Sequence, residues 1–172
     1  MIFAAPRSLK HRFLLAFAYA GGLRMNELRK LKISDVDLDR KQVHVRLGKG
    51  KKDRYVVLSD FIIRRFENYF IEVKPLVYLF EGLTPGELMG ERSIQYVIKE
   101  ALQKTTITKT VSMHTLRHSF ATHLLEDGLD IHSIQRLLGH SDIRTTMIYI
   151  HVAVVSPKAV FSPLDRLYRK KI

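Results

Sequence analysis

Cysteine does not occur among the 172 residues of this sequence. Its absence excludes disulfide bonds, thiolate metal ligands, iron–sulfur clusters and cysteine nucleophiles. Apolar runs of the roughly 18 residues that a membrane span needs are absent as well. The segment from Met1 to Pro6 is too short for a signal peptide. We therefore expect a cytoplasmic protein without a membrane partner, and the lack of cysteine is compatible with that location.

Acidic residues are scarce relative to basic ones. The chain has 17 Asp and Glu residues against 29 Lys and Arg residues, and its net charge is +12. Such an excess of cations favours a polyanionic partner, most simply nucleic acid. An anionic membrane is the alternative, but no strongly basic amphipathic helix with a broad aromatic face is present. The hydrophobic share of 46% is that of a globular protein.

The spacing of apolar residues predicts a mainly helical α+β domain. Helical spacing, capping residues and glycine stops predict helices over residues 9–20, 24–31, 60–73, 92–103, 114–126, 131–138 and 141–149. Alternation over 43–47 and 54–58, around a basic turn, predicts an antiparallel β-hairpin. Residues 34–37 carry turn-forming side chains. Repeats and an obvious linker are absent, so we expect one domain with a C-terminal tail.

The segment HTLRH at residues 114–118 is the first candidate site. On a helix, His114, Arg117 and His118 share one face, and an arginine can grip two phosphate oxygens. Taken alone, a solvated basic face with one core histidine is the more ordinary interpretation. A zinc site that adds His123 is a further possibility. It is disfavoured because Arg117 stands where zinc hydrolases of the H-E-x-x-H type place a glutamate.

Three further positions could carry chemistry, and each has an ordinary alternative. Arg24 and Glu27 form either a surface ion pair worth well under ~1 kcal/mol or an arginine oriented by a carboxylate. Lys49, between two glycines, is either an exposed loop residue or a mobile cation that can reach a phosphate. Tyr149 follows His140 by nine residues, about 13 Å along a straight helix. Both can serve one site only if the chain bends or the substrate bridges them.

Three segments together resemble the tyrosine recombinases, the phage-integrase and Xer-type family. Residues 114–152, HTLRHSFATHLLEDGLDIHSIQRLLGHSDIRTTMIYIHV, resemble the family's C-terminal signature. GLRMNEL at 22–28 resembles its first arginine box, and GKGKKDR at 48–54 resembles its lysine-bearing β-hairpin. The segments occur in the family's order and cover the chain from about Ser8 to His151. Met113 and Ile150 depart from the pattern, since proline and threonine are common there.

The resemblance implies the fold of a tyrosine recombinase catalytic domain and a set of catalytic residues. That set is Arg24, Lys49, His114, Arg117, His140 and Tyr149. Glu27 matches the acidic residue that supports the first arginine. Lys51, Lys52 and Arg54 are expected to contact DNA phosphates beside the hairpin lysine, although a solubilising loop is about as good an interpretation for each. The domain is expected over residues 1–151 and the tail over 152–172.

The implied reaction is site-specific cleavage and rejoining of DNA without metal, ATP or another cofactor. Tyr149 attacks a backbone phosphodiester and leaves a 3′-phosphotyrosyl bond, which conserves the energy for resealing. Arg24, Arg117 and His140 are suited to stabilise the charge of the transition state. Lys49 is the expected general acid, and His114 the expected proton acceptor or oxyanion partner. A non-catalytic DNA-binding module and a type IB topoisomerase-like relaxing enzyme are the alternatives.

The resemblance also implies partners. These are double-stranded DNA and, for recombination, three further copies of the chain, whereas the free protein is expected to be a monomer. The tail over 152–172 would dock on a neighbouring protomer. Family members usually carry an additional N-terminal DNA-binding domain, for which this chain has no room. We therefore expect either an excised catalytic domain or a naturally short member of the family.

Overall fold

The structure, a computed structural model, describes residues 2–46, 53–151 and 153. Most of this part of the chain is helical, and the prediction of a mainly helical α+β fold is confirmed. The helices are α1 (Leu9–Ala20), α2 (Met25–Lys30), α3 (Asp60–Val73), α4 (Glu91–Gln103), α5 (Met113–Glu126), α6 (Ile131–Leu138) and α7 (Arg144–Met147). The strands are β1 (Val36–Asp37), β2 (Gln42–Val45) and β3 (Arg54–Val57).

Local capping chemistry places several helix ends where the sequence predicted them. The Asp130 carboxylate accepts the N–H groups of His132 and Ser133, both at 3.0 Å, and so begins α6. Gly139 ends α6 in the left-handed conformation, with φ at 64°. At α3 the capping residue is Ser59 rather than the predicted Asp60, because the extended backbone of Ser59 lets its hydroxyl accept from the first turn.

The sheet has one strand more than the predicted hairpin. Strands β1, β2 and β3 are antiparallel neighbours in that order. Val36 pairs with Val43, and Val45 pairs with Arg54. The sequence indicated only a turn around Val36, because a strand of two residues has no period of its own. It exists because β2 offers it a partner, and partner availability is a tertiary property.

The last helix is shorter than predicted. The sequence indicated a helix from Ser141 to Tyr149, whereas α7 holds only four residues. The Asp142 carboxylate accepts the N–H of Arg144 at 2.9 Å and pairs with its guanidinium. The chain therefore turns at this aspartate after α6 before it becomes helical again, and this turn brings residues of α7 back over the end of α6.

Two apolar clusters stabilise the described part of the chain. The larger one gathers the buried face of α1 with the sheet, α3 and α4, and Phe13 stacks on Tyr69 with ring centroids 4.4 Å apart. The smaller one joins Ala121, Leu138 and Tyr149 between α5, α6 and α7. None of the helices described here is long and apolar enough to cross a membrane. The candidate site lies beside the smaller cluster.

Candidate active site

A single buried carboxylate organises the candidate site. Glu27 in α2 is only 8% exposed. Its Oε1 accepts from Arg24 Nη1 at 2.8 Å, and both of its oxygens accept from Arg54, at 2.9 and 2.8 Å. Arg117 Nη1 lies 3.8 Å from Oε2. One negative charge thus faces three guanidinium groups, so the cluster keeps an excess of positive charge that favours an anion.

The carbonyl groups at the end of α6 hold the same arginines from the other side. The last carbonyl groups of a helix have no partner within it and carry partial negative charge. Arg54 Nε donates to Leu137 O at 2.8 Å, and Arg117 Nη2 donates to Leu138 O at 2.6 Å. Arg24 lies 3.5 Å from the carbonyl oxygen of Leu138. These contacts join α2, β3 and α5 at one helix end.

Glu27 remains ionised despite its burial. Burial by itself raises the pKa of the carboxyl, but hydrogen bonds from Arg54 and Arg24 and the charge of Arg54 outweigh it and lower the pKa to about 2. The ordinary interpretation of Arg24 and Glu27 as an exposed ion pair is therefore wrong. Glu27 also accepts the backbone N–H of Arg24 at 2.9 Å, which begins α2 with a capping contact.

Arg117 is the most deeply buried of the arginines in this cluster. Its side chain is 3% exposed, and Nη1 donates to Gly22 O at 2.6 Å. Burial and the neighbouring charges of Arg24 and Arg54 lower its pKa to about 10, so it stays charged at neutral pH. A buried, charged arginine between α1 and α6 contradicts the ordinary interpretation of HTLRH as a solvated basic face.

His140 lies directly after α6, within reach of Arg117. Its Nε2 is 3.0 Å from Arg117 Nη2, and its Nδ1 is 2.9 Å from Thr146 Oγ1. Burial first, and then the charges of Arg117 and Arg24, lower the pKa of His140 to about 4. In the free protein the imidazole is therefore neutral at physiological pH, and it can serve there as a hydrogen-bond donor or acceptor.

Tyr149 lies against the same histidine. The rings of His140 and Tyr149 are nearly parallel, with an interplanar angle of 15° and centroids 6.5 Å apart. The chain therefore bends between them, which is one of the two ways in which the spacing allowed both residues to serve one site. Burial raises the pKa of Tyr149, while the charges of Arg117 and Arg24 act in the opposite direction. The phenol is 1% exposed and carries its proton at neutral pH.

The structure brings most of the predicted catalytic residues together. Arg24, Arg117, His140 and Tyr149 share one site around α6, with Arg24 the most open of the set, at 40% side-chain exposure. His114 is exposed one helical turn before His118, with ring centroids 6.4 Å apart. Lys49, Lys51 and Lys52 lie outside the described residues.

Arg54 does not lie where the sequence placed it. We expected a surface residue that meets DNA phosphates beside Lys49. Instead its side chain is 6% exposed and bound bidentately to Glu27. The reason is register: Arg54 begins β3 opposite Val45, and this position directs it inward toward α2 and α6. Its place is that of a residue that supports the site, and we no longer expect it to contact DNA directly.

One residue of the site was not singled out by sequence reasoning, and another makes a contact that the sequence did not predict. Thr146 is completely buried and contacts His140. Its spacing of three residues from Tyr149, about one helical turn, is a signal that could have found it. His118 packs edge-on against Tyr149 with ring centroids 4.7 Å apart. The sequence did not predict that contact, because Tyr149 lies 31 residues further along the chain, after the end of α7.

The described residues do not form the zinc site that the histidine spacing had left as a possibility. Within residues 2–46, 53–151 and 153, no group of three histidine or carboxylate side chains is arranged to hold a metal ion. His123 instead pairs with Tyr19, with Nδ1 2.6 Å from the phenolic oxygen. The histidines of α5 therefore lie in two different environments.

Comparisons with known proteins assign a class to this fold and site. The model of the phage integrase family matches residues 2–155. The tyrosine recombinase XerD of Staphylococcus saprophyticus is 40% identical over 151 residues, which are 84% of this chain and 50% of that protein. The crystal structure of XerA recombinase superposes with a TM-score of 0.80 at 33% identity, over 98% of this chain and 59% of that one.

A complex with DNA is among the similar structures. The XerH site-specific recombinase bound to its difH substrate in a pre-cleavage complex has a TM-score of 0.69 at 29% identity, over 87% of this chain and 46% of that one. The chain belongs to the phage integrase family of tyrosine recombinases, and its fold is that of their catalytic domain. It spans about half the length of the curated relatives that it matches.

Proposed function

We propose that this chain is the catalytic domain of a site-specific DNA recombinase or integrase that cleaves and rejoins strands through a 3′-phosphotyrosyl intermediate. One observation carries the proposal. A cluster of three arginines around a single carboxylate lies beside a neutral histidine and a buried tyrosine. The surplus positive charge fits one phosphodiester, and the phenol supplies a nucleophile at its edge.

The arginines are expected to bind the non-bridging oxygens of the scissile phosphate. Arg24 is the more open of the two proposed phosphate ligands, while Arg117 is held from behind by Gly22 O and Leu138 O. Because these carbonyl contacts exist before DNA binds, little reorganisation is needed when charge develops in the transition state. His140 adds a hydrogen bond to the same phosphate.

Proton transfer accompanies the attack. Tyr149 loses its proton as its oxygen bonds to phosphorus, and the departing 5′-oxygen must gain one. We assign Lys49 as the acid that supplies this proton. His114 accepts the phenolic proton or stabilises the phosphate oxygens. Because Tyr149 is 1% exposed, its side chain must move before its hydroxyl can meet DNA.

The decisive experiment is cleavage of a nicked suicide substrate. Loss of the short fragment after cleavage prevents rejoining and traps the covalent complex. We expect a protein–DNA adduct that survives denaturation, forms in the presence of a chelator, and carries DNA on the peptide that contains Tyr149. Salt-sensitive binding without any adduct would instead indicate a non-catalytic DNA-binding module. Relaxation of supercoiled plasmid by dilute protein without recombinant product would indicate a topoisomerase-like enzyme.

DNA affinity should depend steeply on salt. The net charge is +12, and each neutralised phosphate contributes about −0.9 to the slope of log K against log salt concentration. We propose that Lys51 and Lys52 each contact one phosphate. The double variant Lys51→Ala/Lys52→Ala should then lose nearly 2 from the magnitude of that slope. Fluorescence anisotropy titrations over a salt series measure it, and an unchanged slope would contradict these contacts.

The tail over residues 152–172 is proposed to couple protomers on DNA. Deletion after His151 should weaken cooperative assembly on a two-site duplex while thermal unfolding of the monomer stays nearly unchanged. Native gel shifts and circular dichroism follow the two properties separately. Unaltered assembly by the shortened chain would refute the coupling role. The boundary at 151, the tetramer on two duplexes, the free monomer and the cytoplasmic location remain predictions.

A further inference from the structure

The environment of His140 fixes which of its ring nitrogens carries the proton. An arginine guanidinium has donors but no acceptor, so its Nη2, 3.0 Å from His140 Nε2, must donate to that nitrogen. Nε2 is therefore unprotonated. The ring is neutral at physiological pH because its pKa is about 4, so its single proton lies on Nδ1.

The proton on Nδ1 has one buried partner in the described part of the structure. Nδ1 donates to Thr146 Oγ1 at 2.9 Å. Thr146 is 0% exposed, so no bulk water replaces this acceptor. A buried polar group without a partner costs free energy, and the hydroxyl therefore stabilises the Nδ1–H tautomer in the free protein.

This tautomer is the wrong one for binding a phosphate. A phosphate oxygen accepts hydrogen bonds, so His140 contacts it as a neutral donor only when Nε2 carries the proton. The ring then has a bare Nδ1, which needs a donor in place of an acceptor. A threonine hydroxyl can fill either role by rotating about its C–O bond, whereas valine fills neither.

We propose that Thr146 is a positioning residue that reverses its hydrogen bond to His140 when the scissile phosphate binds. In the free protein Thr146 accepts from Nδ1. In the DNA complex the N–H of Arg117 Nη2 that faces Nε2 donates to the phosphate instead, while the contacts of Arg117 with Gly22 O and Leu138 O persist. Nε2 gains a proton from solvent, Nδ1 releases one to solvent, and the hydroxyl of Thr146 donates to Nδ1. The ring keeps one proton throughout, so charge is conserved. This inference rests on the proposed function for its DNA-bound half only.

Thr146 also connects this hydrogen bond to the nucleophile. Its backbone carbonyl accepts the N–H of Tyr149 at 3.1 Å within the same short helical segment. This backbone contact keeps Thr146 one turn before Tyr149, so a rotation of the Tyr149 side chain toward DNA leaves the hydroxyl of Thr146 against His140.

The test is nitrogen-15 NMR of the histidine rings, with the His140 signals assigned by their loss in His140→Gln. In the free protein we expect the Nδ1–H tautomer. With saturating uncleaved half-site DNA, in a Tyr149→Phe background, we expect the Nε2–H tautomer. Nε2–H in the free protein, or an imidazolium with both nitrogens protonated in the complex, would overturn the proposal.

Variants separate the hydroxyl from simple packing. Thr146→Val keeps the shape and should weaken the preference of the free ring for Nδ1–H, since only the contact from Arg117 then favours that tautomer, and it should slow single-turnover cleavage by about 10- to 100-fold at saturating DNA. Thr146→Ser should restore both properties to within about 3-fold, since it retains the hydroxyl. The matched control Thr145→Val, at the exposed neighbouring position, should change neither. An unchanged tautomer preference in Thr146→Val would refute the positioning role.

The two proposals fail in different ways. If the wild-type protein forms no adduct with nicked DNA while the free ring shows a preference for the Nδ1–H tautomer that Thr146→Val weakens, the recombinase function is wrong. The hydrogen bond of the free protein then stands, and its reversal is refuted by the absence of a tautomer change on DNA. If adducts form but the free ring carries its proton on Nε2, the function stands and the role of Thr146 is wrong.

Discussion

Tyr149→Phe is expected to abolish the covalent protein–DNA adduct and leave DNA binding intact. The substitution removes one oxygen atom and nothing else from a ring that is 1% exposed. The edge-on contact of the ring with His118 and its burial against α6 persist, so the fold is retained. Because the nucleophile itself is lost, adduct formation should fall by at least about 10³-fold.

A second tyrosine provides the control for this result. Tyr96 on α4 is 65% exposed and lies outside the site, so Tyr96→Phe should form adduct at the wild-type rate. Denaturing gels with end-labelled suicide substrate measure both variants, and filter binding confirms that each still holds DNA. An adduct that persists in Tyr149→Phe would remove Tyr149 from the role of nucleophile.

Glu27→Ala is expected to produce the largest loss of stability in the site. It leaves Arg24, Arg54 and Arg117 without a counter-charge in a buried cluster. Removal of one partner from a buried ion pair typically costs 3–5 kcal/mol, so we expect a loss of about 4 kcal/mol in the free energy of unfolding. Chemical denaturation followed by circular dichroism measures it.

A surface pair offers the comparison for Glu27. Glu91 binds Arg29 at 2.7 Å but is itself 49% exposed. Glu91→Ala should therefore cost less than about 1 kcal/mol, although the two carboxylates make contacts of similar length. Equal losses in the two variants would contradict the special position of Glu27, which differs from Glu91 in its burial and in the three guanidinium groups that it faces.

Acid should destabilise the protein through the same carboxylate. The pKa of Glu27 is about 2 in the folded state against an ordinary 4.5. The unfolded chain therefore binds the proton more readily, and stability is lost as the pH falls from about 4.5 to about 2. The difference corresponds to about 3 kcal/mol at higher pH. Glu27→Gln cannot titrate at this position. Between about pH 4.5 and about pH 2, its free energy of unfolding should therefore fall by about 3 kcal/mol less than that of the unaltered protein.

Much of the fold could be predicted because helix caps and glycine stops depend on residues that are close together in sequence. Asp130 and Gly139 mark the two ends of α6, because capping and the left-handed glycine conformation depend on atoms within four residues. The 3.6-residue period placed α1 for the same reason. Strand β1 was missed since its two residues acquire their structure from β2, a separate segment.

The candidate site likewise has a part that the sequence predicted and a part that it did not. The resemblance to the family predicted that Arg117, His140 and Tyr149 belong to one site. The structure places Arg117 beside His140, and the ring of Tyr149 lies near that of His140. Arg54 was predicted at the surface, yet it is buried against Glu27, which lies 27 residues earlier. Nothing local distinguishes an inward arginine at the start of a strand from an outward one.

The sequence alone determined the family and most of the helices, and it predicted the groups proposed for phosphoryl chemistry, because periodicity, caps and motif spacing depend on neighbouring residues. Only the tertiary structure decided that one carboxylate holds three arginines and that Thr146 faces His140. Charge states and hydrogen-bond directions arise from burial and from partners on other helices and strands. Those surroundings exist only after α2, β3, α5 and α6 have packed together.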